Sequence, residues 1–239
     1  MKNLFGQPFK IHFHMELIMK KTIAILLVLA GLTTAVFAQD SSSWFSLGGG
    51  GLVNGNFLNW KADPNLPGNL DRYNTDNFNV GPYIFIDMKY FELNFGILYG
   101  SLNKDSTLSK NTAHTSAVQF GGYFKVPITL SSMFTLFPLL GADYDLYFLA
   151  KDEDKRDAKF PVSTGKQDSR PIEALSTVCF KAGAGLDTFF TDNLFMRTEL
   201  LYGIRLPNKT EKYLKDQRSD VDWMLCHGGT FKIAIGYRF

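Results

Sequence analysis

The chain has 239 residues, 15% of them aromatic, and its 25 Lys and Arg nearly balance 23 Asp and Glu. A formal net charge of +2 gives no basic excess of the kind that nucleic-acid-binding proteins carry, so no nucleic-acid partner is predicted. Without residues 1–38, the remainder holds 21 basic and 22 acidic residues, a net charge of −1.

Residues 1–38 have the pattern of an export signal. A basic Met-Lys-Lys at 19–21 precedes an apolar run at 22–31, and small residues lead up to Ala38. The run is too short to span a bilayer with such flanks, which disfavours the alternative of a transmembrane anchor. We therefore predict a signal peptide with an upstream extension over 1–38, with translation from Met19 and cleavage after Ala38.

The mature domain, residues 39–239, has no apolar run of about 18 residues, so the sequence predicts no transmembrane helix there. Apolar and polar or small side chains alternate instead, as in strands whose successive side chains point to opposite faces. Each alternating segment has about ten residues or more, which is the length of a tilted transmembrane strand. The predicted strands cover 44–54, 78–88, 91–102, 116–126, 134–148, 176–190, 194–206 and 223–239.

The connections between these strands alternate in length. Short turns are predicted at 89–90, 127–133 and 191–193, and long polar loops at 59–77, 103–115, 151–174 and 207–222. Short periplasmic turns and long external loops are typical of outer-membrane barrels, and an even strand number puts both ends of the domain on the periplasmic side. The sequence therefore predicts an all-β fold, an eight-stranded antiparallel transmembrane β-barrel.

The last strand carries a family resemblance. Its large apolar residues occupy alternate positions and the chain ends on Phe239, an ending that resembles the terminal strand of bacterial outer-membrane barrels. The Thr-Asp-Asn turn at 191–193 and its flanking strands resemble a hairpin of small barrels of the OmpA, OmpX and OmpW kind, with OmpW-like the first choice. The resemblance covers the last quarter of the chain, and the rest only by pattern.

This resemblance implies the bacterial outer membrane as the location, with membrane lipid and the barrel assembly machinery as partners. It also implies that the assembly machinery reads a signal in the last strand, at Phe231, Tyr237 and Phe239. For OmpW-like barrels it further implies a lumen that accepts small hydrophobic solutes and releases them sideways into the membrane.

Charged residues of both signs share the predicted inner face of the barrel. They are interpreted either as a salt-bridge network that fills a narrow lumen or as a polar constriction that selects solutes, since charges that face lipid would be costly. The residues are Glu92, Lys125, Asp143, Asp145, Lys181, Asp187, Arg197, Glu199, Arg205, Lys232 and Arg238.

Apolar and aromatic residues on the same inner face form a candidate path for hydrophobic solutes, with simple packing as the alternative. They are Tyr83, Phe85, Leu98, Tyr123, Phe137, Leu139 and Tyr147. Pro82 is the candidate lateral gate, because proline cannot donate a ladder hydrogen bond. A β-bulge that absorbs Pro82, or a gate at Pro138 instead, is the competing interpretation.

The predicted function is a channel for small hydrophobic solutes. The alternative is a surface adhesin or structural barrel whose long loops bind host or envelope components without transport. No cofactor or metal is predicted. No enzyme activity is predicted either, because His114 and Ser116 on one strand face lack an acidic residue that would orient the histidine as a base. Cys179 and Cys226 are expected as free lumen-facing thiols rather than a disulfide, since two strand spacings separate them by about 9 to 10 Å.

Overall fold

A computed structural model of the protein describes residues 45–62, 76–102, 112–152, 154–166, 168–216 and 221–239. The predicted signal peptide lies outside these residues. The strands are β1 (Phe45–Ala62), β2 (Asn77–Met88), β3 (Phe91–Leu102), β4 (Thr112–Lys125), β5 (Ile128–Thr129), β6 (Phe134–Asp152), β7 (Thr177–Phe189), β8 (Leu194–Arg205) and β9 (Val221–Arg238). Two helices, α1 (Pro171–Ala174) and α2 (Lys209–Asp216), lie in the connections before β7 and β9. None of the helices in the described part of the chain is long and apolar enough to cross a membrane.

Eight of the strands form one closed antiparallel barrel. Each pairs with its neighbour in the chain, β1 pairs with β9, and β4 pairs with β6. The two-residue β5 is an appendage on the edge of β6. Closure leaves no unpaired sheet edge among the eight strands, which is the condition that a sheet must meet to stand in lipid.

The two ends of the barrel differ. At the turn end, β1 begins and β9 ends, and the Phe239 N–H donates to the Phe45 carbonyl at 2.9 Å. The tight turn at Lys89 and Tyr90 lies at this end too, with Lys89 in the left-handed region at φ 28°. At the opposite, loop end, the long connections leave the barrel, including those that contain α1 and α2.

The barrel is apolar outside and polar inside. Along β9, the exposed Phe231, Ile233 and Ile235 alternate with the buried Lys232 and Ala234. Leu140 and Leu200 are 65% and 67% exposed, whereas Lys232 is fully buried. This polarity is the reverse of that of a water-soluble protein, because water drives apolar surface inward and a charge is costly to bury without partners. Lipid around the barrel accounts for it.

Aromatic side chains mark two rims on this apolar surface. Exposed rings near the turn end include Tyr90, Phe91 and Tyr237, and exposed rings near the loop end include Phe57 and Tyr202. Tyr237 and the β9 residue opposite Phe57, at position 227, lie ten residues apart along the strand. At about 3.3 Å per residue and a tilt of about 40°, this corresponds to roughly 25 Å, the height of the apolar band of outer-membrane barrels.

The predicted strands are all present, but several end elsewhere. Three strands extend further towards the loop end than the alternation predicted: β1 ends at Ala62, β4 begins at Thr112 and β6 ends at Asp152. Backbone pairing continues beyond the apolar band, where strand side chains face water and need not alternate. The predicted turn at 127–133 contains β5, and the predicted loops at 151–174 and 207–222 contain α1 and α2.

Candidate functional site

Arg197 is the centre of a charge cluster in the barrel interior near the turn end. Its guanidinium donates two hydrogen bonds to Asp187, both at 2.7 Å, one to Glu92 at 2.8 Å and one to Asp87 at 2.5 Å. Lys125 donates to the same Asp87 oxygen at 2.5 Å. These bonds join β8 to β7, β3, β2 and β4, so they cross the lumen rather than line its wall.

Aromatic rings enclose the same guanidinium. The Arg197 guanidinium carbon lies 4.4 Å from the ring centre of Phe85, 4.9 Å from that of Phe137 and 5.3 Å from that of Phe195. Cation–π attraction strengthens when the cation is removed from water, as it is here. The rings fit because small residues face them: a Cβ at Gly48 would collide with Phe85.

A smaller cluster extends the polar interior towards the loop end. Lys181 donates to Asp143 at 2.8 Å and to Thr230 at 2.6 Å. Gln119 donates to Asp145 at 2.8 Å. Between the two clusters, Lys232 lies 3.1 Å from Glu199 and 3.8 Å from Glu92. Together with Asn54 of β1, which accepts from Thr230 at 3.0 Å, the clusters use all eight barrel strands.

The predicted interior residues leave little room for a path. The seven apolar and aromatic residues are each at most 3% exposed, and the polar network residues other than the partly buried Arg238 are at most 4% exposed. A lumen wide enough for water would leave accessible surface on the side chains that line it. The structure therefore brings the predicted residues together inside the barrel, where they fill it.

Polar side chains close the interior near the loop end. The Tyr147 hydroxyl accepts hydrogen bonds from Asn77 at 2.7 Å and Asn79 at 3.4 Å, and Asn56 donates to Asn77 at 2.9 Å. Asn56, Asn77, Tyr147 and Leu102 line a cavity of about 10 Å³. That volume is enough for about one water molecule.

The α2 helix is fastened over this end by Glu211. The Asn208 side chain accepts from the Glu211 N–H, and the Glu211 carboxylate accepts from the Asn208 N–H, both at 2.9 Å. This reciprocal pair is a capping box, which satisfies backbone donors at the start of a helix. Arg205 of β8 donates two bonds to the same carboxylate, at 2.9 and 2.6 Å, and all three side chains are buried.

The connection between β6 and β7 also packs onto the loop end. Phe160 is fully buried in one apolar cluster with Leu102, Leu175 and Leu214, so this connection and α2 pack onto the barrel interior. Outside, Lys166 donates to Glu173 at 2.5 Å, and this hydrogen bond lowers the pKa of the Glu173 carboxyl.

Sequence reasoning missed several residues of this interior. Asp87 shares the inner face of its strand but was not placed in the network, and Glu211 was assigned to a polar loop. The Asn208-x-x-Glu211 spacing is the capping-box signal that could have located α2. The cross-lumen partners of Arg197 carry no such signal, because alternation fixes the face of a residue and not the strand that lies opposite.

Pro82 occupies a break in one ladder. β2 and β3 pair at Val80 with Tyr99 and again at Tyr83 with Gly96, and no partner on β3 is assigned to Pro82. The register is the same on both sides of the break, so the interpretation of a bulge there is wrong. On the β1 side Pro82 lies opposite Gly51, in a continuous ladder.

Of the remaining predicted residues, those of the last strand lie on the outer surface. Phe231, Tyr237 and Phe239 are 43%, 47% and 63% exposed. His114 is exposed whereas Ser116 is buried, so the two differ in environment although they were predicted on one face.

The two cysteines lie inside the barrel. Cys179 and Cys226 are both buried and both free thiols. The thiol of Cys226 lies 3.6 Å from the Glu211 carboxylate.

Comparison with known proteins gives structural likenesses only. The sequence matches no protein-family model and no curated protein. Among solved structures, the chain is similar to Neisserial surface protein A, at 12% identity over 84% of this chain and 100% of that one, with a TM-score of 0.43. It is similar to the outer membrane protein OprG from Pseudomonas aeruginosa, at 10% identity over 83% and 96%, with a TM-score of 0.41.

A third similar structure is Ail, the attachment invasion locus protein of Yersinia pestis, in complex with the heparin analogue sucrose octasulfate. The identity is 15% over 82% of this chain and 99% of that one, with a TM-score of 0.35. TM-scores this low carry no argument about function. Strand pairing, the inverted polarity and the two aromatic rims identify the fold: an eight-stranded antiparallel β-barrel that spans the bacterial outer membrane.

Proposed function

We propose that the protein is a closed outer-membrane barrel that acts by binding host or envelope components at its loop end, without transport and without catalysis. The observation that carries this proposal is the burial of the interior side chains. Arg197, Glu92 and Lys232 are inaccessible to water although they lie in the lumen. A channel needs a continuous accessible route, and side chains from all eight strands occupy that route.

The loop end supports the binding part of the proposal. Phe160 and Leu214 anchor the two described connections to the interior, and Arg205 with Glu211 fixes the α2 helix. Such a fixed outer surface loses little conformational entropy when a ligand binds. Binding residues often lie on loops that a rigid scaffold holds in place.

A flux assay tests the closed barrel. Purified, folded protein in liposomes is expected to pass neutral sugars and a small apolar dye no faster than protein-free liposomes do. The folded state is checked in the same vesicles by circular dichroism and by the gel mobility of unheated samples. A flux that rises in proportion to the amount of folded barrel contradicts the proposal.

An attachment assay tests the binding part. A bacterial strain that does not adhere by itself is expected to attach to host cells or matrix proteins once it expresses the barrel. Purified barrel in nanodiscs is expected to inhibit this attachment by competition. For envelope components, the same nanodiscs are titrated with purified surface glycolipid. If neither attachment nor binding depends on the barrel, the binding part is wrong.

The second candidate function is the passage of hydrophobic solutes that an OmpW-like barrel would provide. One observation favours it: the break between β2 and β3 at Pro82, where a ladder hydrogen bond is missing in the wall. An unmade bond in lipid is costly, so this is the weakest point of the wall for sideways release. The buried Tyr83 and Leu98 beside it would have to move first.

Replacing Pro82 with Ala separates the two candidates. If the break is a lateral gate, Pro82→Ala should restore the ladder and slow uptake of an apolar solute into liposomes. Pro138→Ala is the matched control, because Pro138 lies opposite Ala184 in an uninterrupted register. Equal uptake in wild type and both folded variants removes the lateral gate and leaves the closed barrel.

A further inference from the structure

A cleft opens at the loop end between α2 and the connection that joins β6 to β7. Its volume is about 340 Å³, within the range of small-ligand sites. Lys209 and Lys212 of α2 form one wall, and Ser163 and Thr164 form the other. None of these residues belongs to the barrel interior described above.

The charge in this cleft is positive. Lys209 and Lys212 are three residues apart on one face of α2, and both are exposed. Within the described ranges, no carboxylate lies within 4 Å of either ammonium group, whereas Lys151, Lys159 and Lys166 nearby each pair with an acidic residue. Asp216 also lines the cleft, so two cations face one anion.

The rest of the lining suits a sugar. Tyr213 and Val162 are half-buried and pack against the apolar cluster that contains Phe160 and Leu214, so they give the cleft an apolar floor. Ser163, Thr164 and Tyr213 add hydroxyl groups, which both donate and accept hydrogen bonds. A sugar ring has an apolar face for such a floor and hydroxyls for such walls.

Both walls are fixed before any ligand arrives. The capping box and the two Arg205 bonds hold α2 through Glu211, and the Lys166 N–H donates to the Ser163 carbonyl at 3.0 Å in the turn opposite. A preformed site avoids most of the ordering cost of binding. Paired ammonium groups in such a site form charge-assisted bonds to phosphate or sulfate oxygens.

We propose that this cleft binds a sugar that carries a phosphate or sulfate group. The inference rests on the proposed binding role of the loop end and names the ligand class for it. Lys209 and Lys212 contact the oxyanion, and Tyr213 lies against the sugar ring. The group can come from a soluble saccharide or from the head of a phosphorylated glycolipid.

The test compares two variants of the full barrel in detergent micelles. Glucose 6-phosphate and glucose 6-sulfate are titrated into isotope-labelled protein and followed by NMR, with glucose as the neutral probe. Lys209→Gln with Lys212→Gln should weaken binding of both anionic sugars about tenfold or more. Lys215→Gln removes one positive charge from the same helix outside the cleft and should change the affinity less than about twofold.

Two results would overturn the proposal. One is that the anionic sugars bind wild type no better than glucose does. The other is an equal loss of affinity in the double variant and in Lys215→Gln, which would show only general charge attraction. Since all three lysines are at least partly exposed, circular dichroism should show an unchanged barrel in every variant.

A second arm identifies the source of the oxyanion. The titration is repeated in nanodiscs with and without a phosphorylated glycolipid. If the glycolipid displaces glucose 6-phosphate, the natural ligand is a lipid head; if it does not, the ligand is soluble, and both results support the cleft. The flux assay is independent: solute flux contradicts the closed barrel, whereas a closed barrel without sugar binding contradicts only the cleft.

Discussion

Arg197 illustrates how a charge is held inside a membrane barrel. Its hydrogen bonds to Asp87, Glu92 and Asp187 account for all three of its side-chain nitrogens, and the ring of Phe85 covers its face. An ion pair that replaces well-packed apolar residues adds little stability by itself. Removing one partner is different, because it leaves the others charged, buried and unpaired.

Arg197→Ala should therefore lower the free energy of unfolding by roughly 3–5 kcal/mol. Equilibrium urea unfolding of the barrel in lipid vesicles measures the change. Lys151→Ala is the control: Lys151 also pairs with a carboxylate, Asp157, but in water at the loop end, where the unfolding midpoint should barely move. A similar midpoint for both variants would show that the interior network does not stabilise the barrel.

Neighbouring positions on β9 test which face meets lipid. Ile233 is 45% exposed on the outer surface, whereas Ala234 is 3% exposed and packs against Gly50. Ile233→Arg should cost roughly 2–4 kcal/mol if the position is near the bilayer midplane. The cost is measured by folding into vesicles, and it should shrink when the same variant folds in detergent, where the charge can reach water.

Spin labels provide the control for this assignment. A label at Ile233 should be accessible to oxygen in the bilayer, and a label at Ala234, if tolerated, should not. Water accessibility at 233 with lipid accessibility at 234 would reverse the two faces of the strand.

Among the elements, α2 depends most on a single side chain. Glu211 completes the capping box with Asn208 and accepts both Arg205 bonds. Glu211→Ala should release the helix and leave the buried Arg205 unpaired, while the eight strands stay paired.

Limited trypsin digestion can detect this release. Cleavage after Lys209, Lys212 and Lys215 should become faster in Glu211→Ala, with no change in the strand signal of circular dichroism. Glu173→Ala breaks only an exposed pair with Lys166 and should leave cleavage within α2 unchanged. Unchanged cleavage in Glu211→Ala would mean that packing of Leu214, rather than the Glu211 network, holds the helix.

The strand elements could be predicted because lipid imposes a strict alternation on them. β3 has the predicted ends, 91 and 102, since its exposed residues from Phe91 to Tyr99 meet lipid throughout. The outer part of β1, from Asn59 to Ala62, falls in a predicted loop because strands above the membrane need no apolar face. α2 was missed for a related reason: its sequence is mostly charged, and its capping box was not recognised.

The contents of the barrel could be predicted only as a set of inward residues. Alternation placed Arg197, Glu92 and Asp187 inside, but their mutual contacts depend on the barrel register, which is a property of eight strands together. The covering of the loop end by Phe160 was also not predictable, because one aromatic residue in a polar connection has no periodicity.

At the level of the whole barrel, Phe239 contacts the first strand. The Phe239 N–H bonds to the Phe45 carbonyl, and its ring lies 5.6 Å from that of Phe45 and 5.2 Å from that of Tyr237. The ring is 63% exposed, so it adds little to packing. Recognition by the assembly machinery remains a prediction from the resemblance of the last strand.

Deletion of Phe239 should lower the yield of barrel in the outer membrane more than it lowers refolding of purified protein in detergent. The two yields are measured on the same variant, with Phe190→Ala, another exposed aromatic at the turn end, as the control. Equal losses in the cell and in detergent would assign Phe239 a packing role alone.

The most direct test of the account is the electrical conductance of the purified barrel in a planar bilayer. The charge clusters around Arg197 and Lys181 cross the lumen, and Glu211 holds the α2 helix over the loop end. Folded wild-type protein is therefore expected to add no conductance to the lipid baseline at high salt. Insertion is verified by recovering folded barrel from the same membranes. Regular conductance steps that depend on the folded wild-type protein would show an open lumen and contradict the closed barrel.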